Sequence, residues 1–306
     1  MNFLPRRELG RTGFRATQLG IGDLADAAVP FAPCVATLRR ALDAGLNVID
    51  TAPNYENGLS ERLVGAALRE HRGPVFLVDK IDHLHQPVAP QLDASLQRLQ
   101  REHIDLCVFH ACSTRADLDA LLAPDGGFAQ LAHEVQRGRV RYRGLSSHHP
   151  DVLLRALDAG VCDVLLFPIG PFVDRRYELE VLPRCRELSV GSICFKTFGA
   201  GKLLGDTDGY QRPLSVRPRG KLSSGGHDAA TTPQLPHLRV ADCVHYTLTL
   251  DPDVALLGCS FANEQDAAWT AARTFTPLPS ARMDAMRADA ARAIAGKGDV
   301  WWNPPV

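Results

Sequence analysis

Short runs of apolar, β-branched and aromatic residues recur along the chain, and most are followed by a stretch with apolar residues at three- and four-residue spacing. The first pattern is typical of buried strands and the second of amphipathic helices. Strands are predicted for eight runs: ATQLGIG, NVIDTA, VFLVDKI, IDLCVFH, RYRGLSS, CDVLLFPI, GSICFKT and VALLGCS. Helices are predicted for segments that include 34–44, 60–71, 88–103, 128–137, 150–159, 177–188 and 238–250. Asp-Ala-Gly at 43–45 and at 158–160 predicts two helix ends, because glycine adopts the left-handed conformation at low cost.

This alternation predicts a single α/β domain over residues 1–306, folded as a (β/α)8 TIM barrel. Strands that read as continuous Val, Ile and Leu runs are typical of parallel strands covered by helices. Residues 1–20 contain a predicted β-hairpin around Gly-Arg-Thr-Gly, expected to close the bottom of the barrel, and the first barrel strand. Residues 201–236, rich in Gly, Pro and Ser, predict a long loop over the mouth, and residues 296–306 form a C-terminal tail.

Composition narrows the class of partner. The 34 Lys and Arg residues nearly balance the 35 Asp and Glu residues, so no charge excess favours nucleic acid or an anionic membrane. No leader-like segment opens the sequence and no apolar run approaches the ~20 residues that span a bilayer, which predicts a cytoplasmic protein. The eight cysteines show no CxxC pair, so neither a zinc site nor a disulfide framework is expected. A small soluble molecule is the expected partner, and the oligomeric state stays open.

Candidate catalytic residues lie where predicted strands end, which is where barrel enzymes carry their chemistry. The last inward residues of the second, third and fourth strands are Asp50, Lys80 and His110, and Tyr55 follows the second strand. Each residue has a structural interpretation by itself: Asp50 as a turn cap, Tyr55 as a rim aromatic, Lys80 as a partner of Asp82, and His110 as a core imidazole. A lysine that ends an apolar strand needs a neutralising carboxylate, however, and Asp50 on the adjacent strand is placed to supply it.

The four residues together predict a reaction at a carbonyl group. A lysine ammonium beside Tyr55 favours the phenolate and lowers the pKa of the phenol, so that Tyr55 exchanges a proton near neutral pH. His110 would orient the substrate oxygen. Because no side chain supplies a hydride, a nicotinamide cofactor is expected at the same rim.

The sequence resembles the aldo-keto reductase family over nearly its whole length. The matching stretches are LGRTGF, DTAPNYENGLSERLVGAAL, Lys80 at the end of the third strand, SLQRLQREHIDLCVFH, GLSSHHP, FGAGKL and LLGCSFANEQ. The resemblance implies Tyr55 as general acid/base, Lys80 as the neighbour that lowers its pKa, Asp50 as the partner of the lysine, and His110 as the group that orients the substrate. It also implies NADP(H)-dependent hydride transfer between nicotinamide and an aldehyde, ketone, sugar or alcohol.

The resemblance further implies a cofactor-binding set. Its members are Gly22, Asp23, Asp50, Ser146, Ser147, Phe195, Lys196, Phe198, Gly199, Gly201, Leu203, Ser260 and Gln265. The two serines are expected near the nicotinamide carboxamide, Phe195 against the nicotinamide ring, and the backbone amides of FGAGKL near the pyrophosphate.

Four positions depart from the family pattern. Leu166 stands where a carboxamide-binding glutamine is common, and Ser147 stands where asparagine is frequent. Gln265 takes the place of the basic residue that often grips the 2'-phosphate, and Trp269 that of an adenine-binding asparagine. NADP is therefore expected only if Lys196 or Arg273 lies near the phosphate, and NAD stays possible.

Two other function classes stay open. One is a regulatory barrel that senses nicotinamide nucleotides with little turnover. The other is a metal-dependent hydrolase built on His83, His85, His148 and His149, although these side chains fall in loops rather than at strand ends. His83, His85, Trp301 and Trp302 are also candidates to line a substrate pocket, and the substrate and direction of reaction are open.

Overall fold

The computed structural model describes residues 3–22, 27, 29–204, 236–259, 262–297 and 299–303. Eight parallel strands form a closed barrel in which each strand pairs with the next along the chain and the last pairs with the first. These strands are β3 (Leu19–Gly22), β4 (Val48–Asp50), β5 (Phe76–Ile81), β6 (Ile104–Phe109), β7 (Val140–Ser146), β8 (Val164–Pro168), β9 (Gly191–Phe195) and β10 (Val254–Leu257). The predicted (β/α)8 barrel and all eight predicted strands are confirmed.

Helices cover the outside of the barrel. They are α1 (Phe31–Asp43), α2 (Leu59–Leu68), α3 (Val88–Leu99), α4 (Arg115–Leu122), α5 (Gly127–Gln136), α6 (Pro150–Asp158), α7 (Leu182–Glu187), α8 (Val240–Leu250), α9 (Ala262–Arg273) and α10 (Ser280–Ile294). Gly45 and Gly160 end α1 and α6 with φ of 93° and 68°, as the Asp-Ala-Gly triplets predict. No helix within the described ranges is long and apolar enough to cross a membrane.

The helix predicted at 34–44 begins three residues earlier, at Phe31, and three other predicted helices differ more clearly. The helix predicted at 60–71 ends at Leu68, and that predicted at 88–103 ends at Leu99 because Gln100 is left-handed, with φ of 53°. The range 177–188 begins with a π-helical turn, Tyr177–Val181, before α7. Helices α4, α9 and α10 lie outside the ranges named from periodicity.

Two apolar layers follow from the alternation of side chains along the strands. Inward residues fill the barrel with a cluster that includes Val48, Val78, Val108, Leu166 and Ile193. Outward residues pack under the helices in a second, larger cluster. The barrel is therefore a packed core, and chemistry is confined to its rims.

The N-terminal hairpin pairs β1 (Arg7–Glu8) with β2 (Arg15–Ala16) and closes the bottom, as predicted. Leu9 is fully buried against the inner cluster, and Tyr142 Oη donates to Thr12 O at 2.5 Å. Gly10 is required there, because a Cβ on it would lie 2.2 Å from Gly191 N. With the bottom sealed, the opposite rim, formed by the C-terminal ends of the strands, is the side open to chemistry.

The C-terminal tail packs back onto the barrel near that rim. Trp302 is fully buried, and its Nε1 donates to Phe172 O at 2.9 Å. The Nζ of Lys297 donates to Lys202 O at 2.7 Å and to Pro236 O at 3.0 Å, which joins the tail to both flanks of the predicted loop 201–236. Residues 205–235 of that loop lie outside the described residues.

Candidate active site

A buried ion pair lies at the rim between β4 and β5. Lys80 Nζ donates to Asp50 Oδ2 at 2.7 Å and to Thr51 O at 2.8 Å, and both charged side chains are at most 3% exposed. Lysine buried in an apolar barrel requires such a carboxylate, as the sequence predicts. Burial alone would lower the pKa of Lys80, but the Asp50 carboxylate and the Tyr55 phenol raise it above its ordinary value. Lys80 is therefore a permanent cation.

Tyr55 lies over that cation because of an unusual turn between β4 and α2. Glu56, Asn57 and Gly58 have φ of 48°, 53° and 77°, all in the left-handed region. Consecutive left-handed residues curl the chain tightly, and such strained turns cluster at functional sites. Lys80 Nζ is 4.4 Å from the centroid of the Tyr55 ring. The expected contact between ammonium and phenol is thus present.

His110 completes the group just beyond the end of β6. Its ring meets the Tyr55 ring edge-on, with centroids 5.7 Å apart. Its Nδ1 is 2.5 Å from Asp82 Oδ1, so Asp82 partners His110 rather than Lys80. Burial lowers the pKa of His110, and the hydrogen bond that Asp82 accepts opposes that shift. Asp50, Tyr55, Lys80 and His110 are therefore brought together as predicted.

The end of β7 carries the two serines expected near the carboxamide. The Ser147 hydroxyl donates to Cys112 O at 2.6 Å and accepts from His149 N at 3.0 Å, so it anchors the loop to α6. No hydrogen bond within the described part of the chain uses the hydroxyl of Ser146. Leu166 pairs with Ser146 across to β8 and belongs to the apolar interior. Of these residues, Ser146 is the one whose hydroxyl is available to a ligand.

Aromatic and cationic groups meet at the end of β9. The Phe195 ring packs edge-on against His148, with centroids 5.3 Å apart. Lys196 is left-handed, with φ of 72°, and its Nζ is 4.9 Å from the centroid of the Trp301 ring. Burial, followed by the charge of Lys196, lowers the pKa of His148 to about 3, so this imidazole is neutral. Trp302, in contrast, is an anchor of the tail rather than a rim residue.

The FGAGKL segment forms a compact turn after β9. Gly199, Ala200 and Gly201 are all left-handed, with φ of 55°, 53° and 84°. The amides of Gly199, Gly201 and the residues Lys202–Leu204 already donate to carbonyls within the same turn. The Nζ of Lys202 is engaged as well, because this buried lysine donates to Asp299 O. The side chain of Lys196 is therefore a stronger candidate for contact with an anion than most of the loop amides.

Gln265 is fully buried in the first turn of α9. Its Nε2 donates to Thr37 O at 2.9 Å, and its Oε1 accepts from Arg40 at 3.1 Å. Arg40 also stacks on Trp269, with Cζ 4.7 Å from the ring centroid. Gln265 and Trp269, which both depart from the family pattern, thus form part of the contact between α1 and α9. Arg273 lies in the last turn of α9, about 16 Å along the helix from its mouth end.

The rim suits a nicotinamide nucleotide. Asp50 Oδ1 and His148 Nε2 are buried polar atoms without a hydrogen-bond partner among the described residues. Both lie at C-terminal ends of strands, where ribose hydroxyls and a carboxamide would satisfy them. A Cβ on Gly22 would lie 3.3 Å from Asp50 Cβ, so glycine leaves room beside that carboxylate. Asp23 and Ser260 lie outside the described residues.

The rim histidines are separated from one another. His85 Nε2 lies 2.9 Å from Asp117 Oδ1 at the surface, whereas His148 packs on Phe195. Over the ranges the structure describes, no group of three or more His, Cys, Asp or Glu side chains could hold a metal ion. The hydrolase interpretation therefore has no geometric support within those ranges.

Sequence reasoning missed three contributors to the site. Asp82 was considered only as a partner of Lys80, and Arg40 and the unpartnered imidazole nitrogen of His148 were not considered. The motif DKIDH does place the Asp82 carboxylate two residues after Lys80, and Asp82 is the first residue after β5. Arg40 had no such signal, because its contacts join helices far apart in sequence.

Comparison with known proteins identifies the family. The model of the aldo/keto reductase family matches residues 16–264. The chain belongs to the aldo/keto reductase family. It is 29% identical over 220 residues to the L-galactose dehydrogenase of Arabidopsis thaliana, which covers 66% of this chain and 68% of that protein. Membership confirms the expected class, an NAD(P)H-dependent oxidoreductase.

Two further proteins are similar to this chain. The chain is 26% identical over 227 residues to the NADH-specific methylglyoxal reductase of Escherichia coli K12, covering 64% of this aldo/keto reductase and 68% of the relative. An aldo-keto reductase structure from Klebsiella pneumoniae superposes with a TM-score of 0.68 at 21% identity, covering 95% of this chain and 96% of the other. That likeness concerns the fold.

Proposed function

We propose that this protein transfers a hydride between NADP(H) and a small carbonyl or alcohol substrate, with Tyr55 as general acid/base. The observation that supports this most directly is the buried Lys80 ammonium, which donates to Asp50 and lies 4.4 Å from the centroid of the Tyr55 ring. A cation held in that position stabilises the phenolate, which lets a phenol with an ordinary pKa of ~10 exchange protons near neutral pH.

The proton transfer follows from this geometry. In reduction, the Tyr55 hydroxyl donates its proton to the substrate oxygen as negative charge develops there, and Lys80 stabilises the phenolate left behind. Asp50 keeps the ammonium in place. In the reverse direction the phenolate takes the proton of the alcohol. Bound nicotinamide supplies or accepts the hydride.

The choice of NADP is supported by a cation near the cofactor loop. Lys196 lies two residues before the FGAGKL turn, and an anionic phosphate needs such a partner when it leaves water. The Klebsiella pneumoniae structure is described as a complex with NADPH. The Escherichia coli relative is described as NADH-specific, so NAD is the competing cofactor for this site.

The proposed substrate class is an aldehyde, ketone, sugar or the corresponding alcohol. The relatives are named for L-galactose and methylglyoxal, which are both small, polar and carbonyl-bearing. The half-buried Phe195 and His148 and the exposed Trp301 offer a rim of mixed polarity that suits such molecules.

Two measurements test the proposal together. Titration with NADPH and with NADH, followed by nicotinamide fluorescence, is expected to give saturable binding with NADPH the tighter ligand. A panel of aldehydes, ketones, sugars and polyols, followed at the nicotinamide absorbance, is expected to reveal turnover. Binding without turnover of any substrate would instead favour a nucleotide-sensing barrel, and tighter binding of NADH would overturn the assignment of NADP.

A further inference from the structure

His148 carries an unused hydrogen-bonding atom at the rim. Its Nε2 is buried and has no hydrogen-bond partner among the described residues. The imidazole as a whole is half-buried and packs edge-on against the half-buried Phe195 ring, with centroids 5.3 Å apart. Because χ2 of histidine has a broad energy well, a modest rotation of this ring turns Nε2 toward a ligand that lies against Phe195. A buried polar atom of this kind needs a partner, and a ligand would supply it.

The charge state of His148 restricts the chemistry of that partner. Burial, followed by the charge of Lys196, lowers the pKa of His148 to about 3, so the ring stays neutral at pH 7. A neutral imidazole offers one N–H donor and one lone pair for hydrogen bonds. It also does not repel the positively charged ring of oxidised nicotinamide. A neutral polar group of the cofactor therefore matches this nitrogen.

Ser146 supplies a second unused hydrogen-bonding group near His148. Its hydroxyl, at the end of β7, makes no hydrogen bond within the described ranges. The Ser147 hydroxyl, in contrast, already donates and accepts within its own loop, and Leu166, which pairs with Ser146 across to β8, is apolar. A primary carboxamide carries N–H donors and an acceptor oxygen, so it suits a hydroxyl and an imidazole nitrogen together.

The position of His148 in the barrel favours the cofactor over the substrate as its ligand. Tyr55 and His110, which would meet the substrate oxygen, follow β4 and β6, whereas His148 follows β7 and Phe195 ends β9. In a barrel closed in sequence order, these two pairs occupy different arcs of the rim. The hydride donor must approach the substrate carbon from a side that the proton donor does not occupy, which is the arc of His148 and Phe195.

We propose that His148 is a cofactor-positioning residue, which together with Ser146 hydrogen-bonds the carboxamide of bound nicotinamide and holds the ring in one orientation. This inference rests on the proposed function, because nicotinamide is the cofactor of that function. Ser147, whose hydroxyl is engaged, and the apolar Leu166 do not offer this contact.

Binding measurements test the contact without requiring turnover. We expect His148→Phe to weaken the binding of NADP+ about 3–10-fold, the range that corresponds to loss of one neutral hydrogen bond. Phenylalanine keeps an aromatic ring against Phe195 and removes both ring nitrogens. Affinity for adenosine 2',5'-bisphosphate, which has the adenosine half of NADP+ but no nicotinamide, should change less than about twofold. In isothermal titration calorimetry, an unchanged Kd for NADP+, or equal weakening of both ligands, would overturn the inference.

Cofactor analogues locate the contact on the carboxamide. The 3-acetylpyridine analogue of NADP+ replaces the amide nitrogen by a methyl group, and the thionicotinamide analogue replaces the amide oxygen by sulfur, a weaker acceptor. We expect the wild-type protein to bind each analogue about 3–10-fold more weakly than NADP+. His148→Phe should abolish the penalty for one analogue, and Ser146→Ala should abolish the penalty for the other. Penalties for both analogues that persist in His148→Phe would refute the contact.

His149→Phe is the matched control. His149 is the next residue and is also half-buried, but the charged groups that act on it are Asp151 and Arg176, so its replacement should change neither Kd. If His148→Phe raises KM for a carbonyl substrate and leaves the Kd for NADP+ unchanged, the ring serves the substrate and the inference is wrong.

The outcomes for the proposed function and for His148 are distinguishable. Failure of the wild-type protein to bind any nicotinamide nucleotide would refute the proposed function, and the inference with it. Tight binding of NADP+ that His148→Phe does not weaken would refute the inference alone.

Discussion

Replacement of Lys80 by methionine tests the buried ion pair that organises the site. The substitution keeps the length of the side chain but leaves Asp50, which is 3% exposed, without its cation. Removal of one member of a buried pair costs about 3–5 kcal/mol. A second estimate of this loss in unfolding free energy agrees. If Asp50 must be protonated to stay buried, protonation at pH 7 costs about 4 kcal/mol, because each pH unit above ~3.9 adds ~1.4 kcal/mol. We therefore expect Lys80→Met to lose about 4 kcal/mol of unfolding free energy.

The pH dependence identifies the cause of that loss. In Lys80→Met the pKa of Asp50 is raised in the folded state, so the variant regains stability as the pH falls from 7 toward 4, by about 1.4 kcal/mol per unit. The double variant Asp50→Asn/Lys80→Met has no buried charge and should recover much of the loss. Urea denaturation followed by circular dichroism at pH 5, 6 and 7 measures all of these quantities.

A surface pair supplies the matched control. Arg155 and Asp119 are 2.5 Å apart, but each is about half exposed, with side-chain exposures of 50% and 53%. Arg155→Met should therefore change stability by less than ~1 kcal/mol. A Lys80→Met loss as small as that of the control, or one that does not vary with pH, would refute a charged, buried Lys80–Asp50 pair.

Two further predictions concern other charged groups. Burial, reinforced by the charge of Glu61, raises the pKa of Asp79 from 3.8 to about 8, so wild-type stability should fall as the pH rises from about 4 to about 8. Asp79→Asn should remove that dependence and be more stable than wild type at pH 7.5 by at least ~1 kcal/mol in urea denaturation; a variant less stable at that pH would contradict this. Lys196→Met should weaken NADPH binding about tenfold in a fluorescence titration, because it removes a cation beside the cofactor loop, and unchanged affinity would exclude Lys196 from the phosphate site.

The barrel strands and the four candidate catalytic residues could be predicted because each depends on the amino-acid sequence of a short segment. Strands buried on both sides leave continuous apolar runs, and a rim residue is the polar residue that ends such a run. Asp50 and Lys80 fit this rule, and the structure joins them at 2.7 Å. Tyr55 could be named as a candidate because the turn residues around it are short-range signals as well.

Contacts between distant segments were not predictable in this way. Helix α9 reads ANEQDAAWTAAR, with too few apolar residues to show a helical period, and its position depends on the contacts of Arg40 with Gln265 and Trp269. The partner of Asp82 was not predictable for a related reason. Sequence spacing showed that it lies near Lys80, but only the barrel geometry shows that its carboxylate points to His110 instead.

The role of the FGAGKL turn also required coordinates. Small residues predict open backbone amides, yet Gly199, Gly201 and the residues after them donate those amides within the turn. The left-handed conformation of Lys196, next to this turn, could not be predicted from the sequence, because φ above zero is uncommon for a residue with a side chain.

The central claim is that the Tyr55 phenol relays the proton, and a single-turnover experiment with Tyr55→Phe tests it most directly. The variant keeps the ring that packs over Lys80 and removes only the hydroxyl. With prebound NADPH and an aldehyde that the wild type reduces, we expect hydride transfer in stopped flow to slow about 10²–10⁴-fold while the Kd for NADPH changes less than about twofold. Hydride transfer at the wild-type rate in Tyr55→Phe would contradict the account.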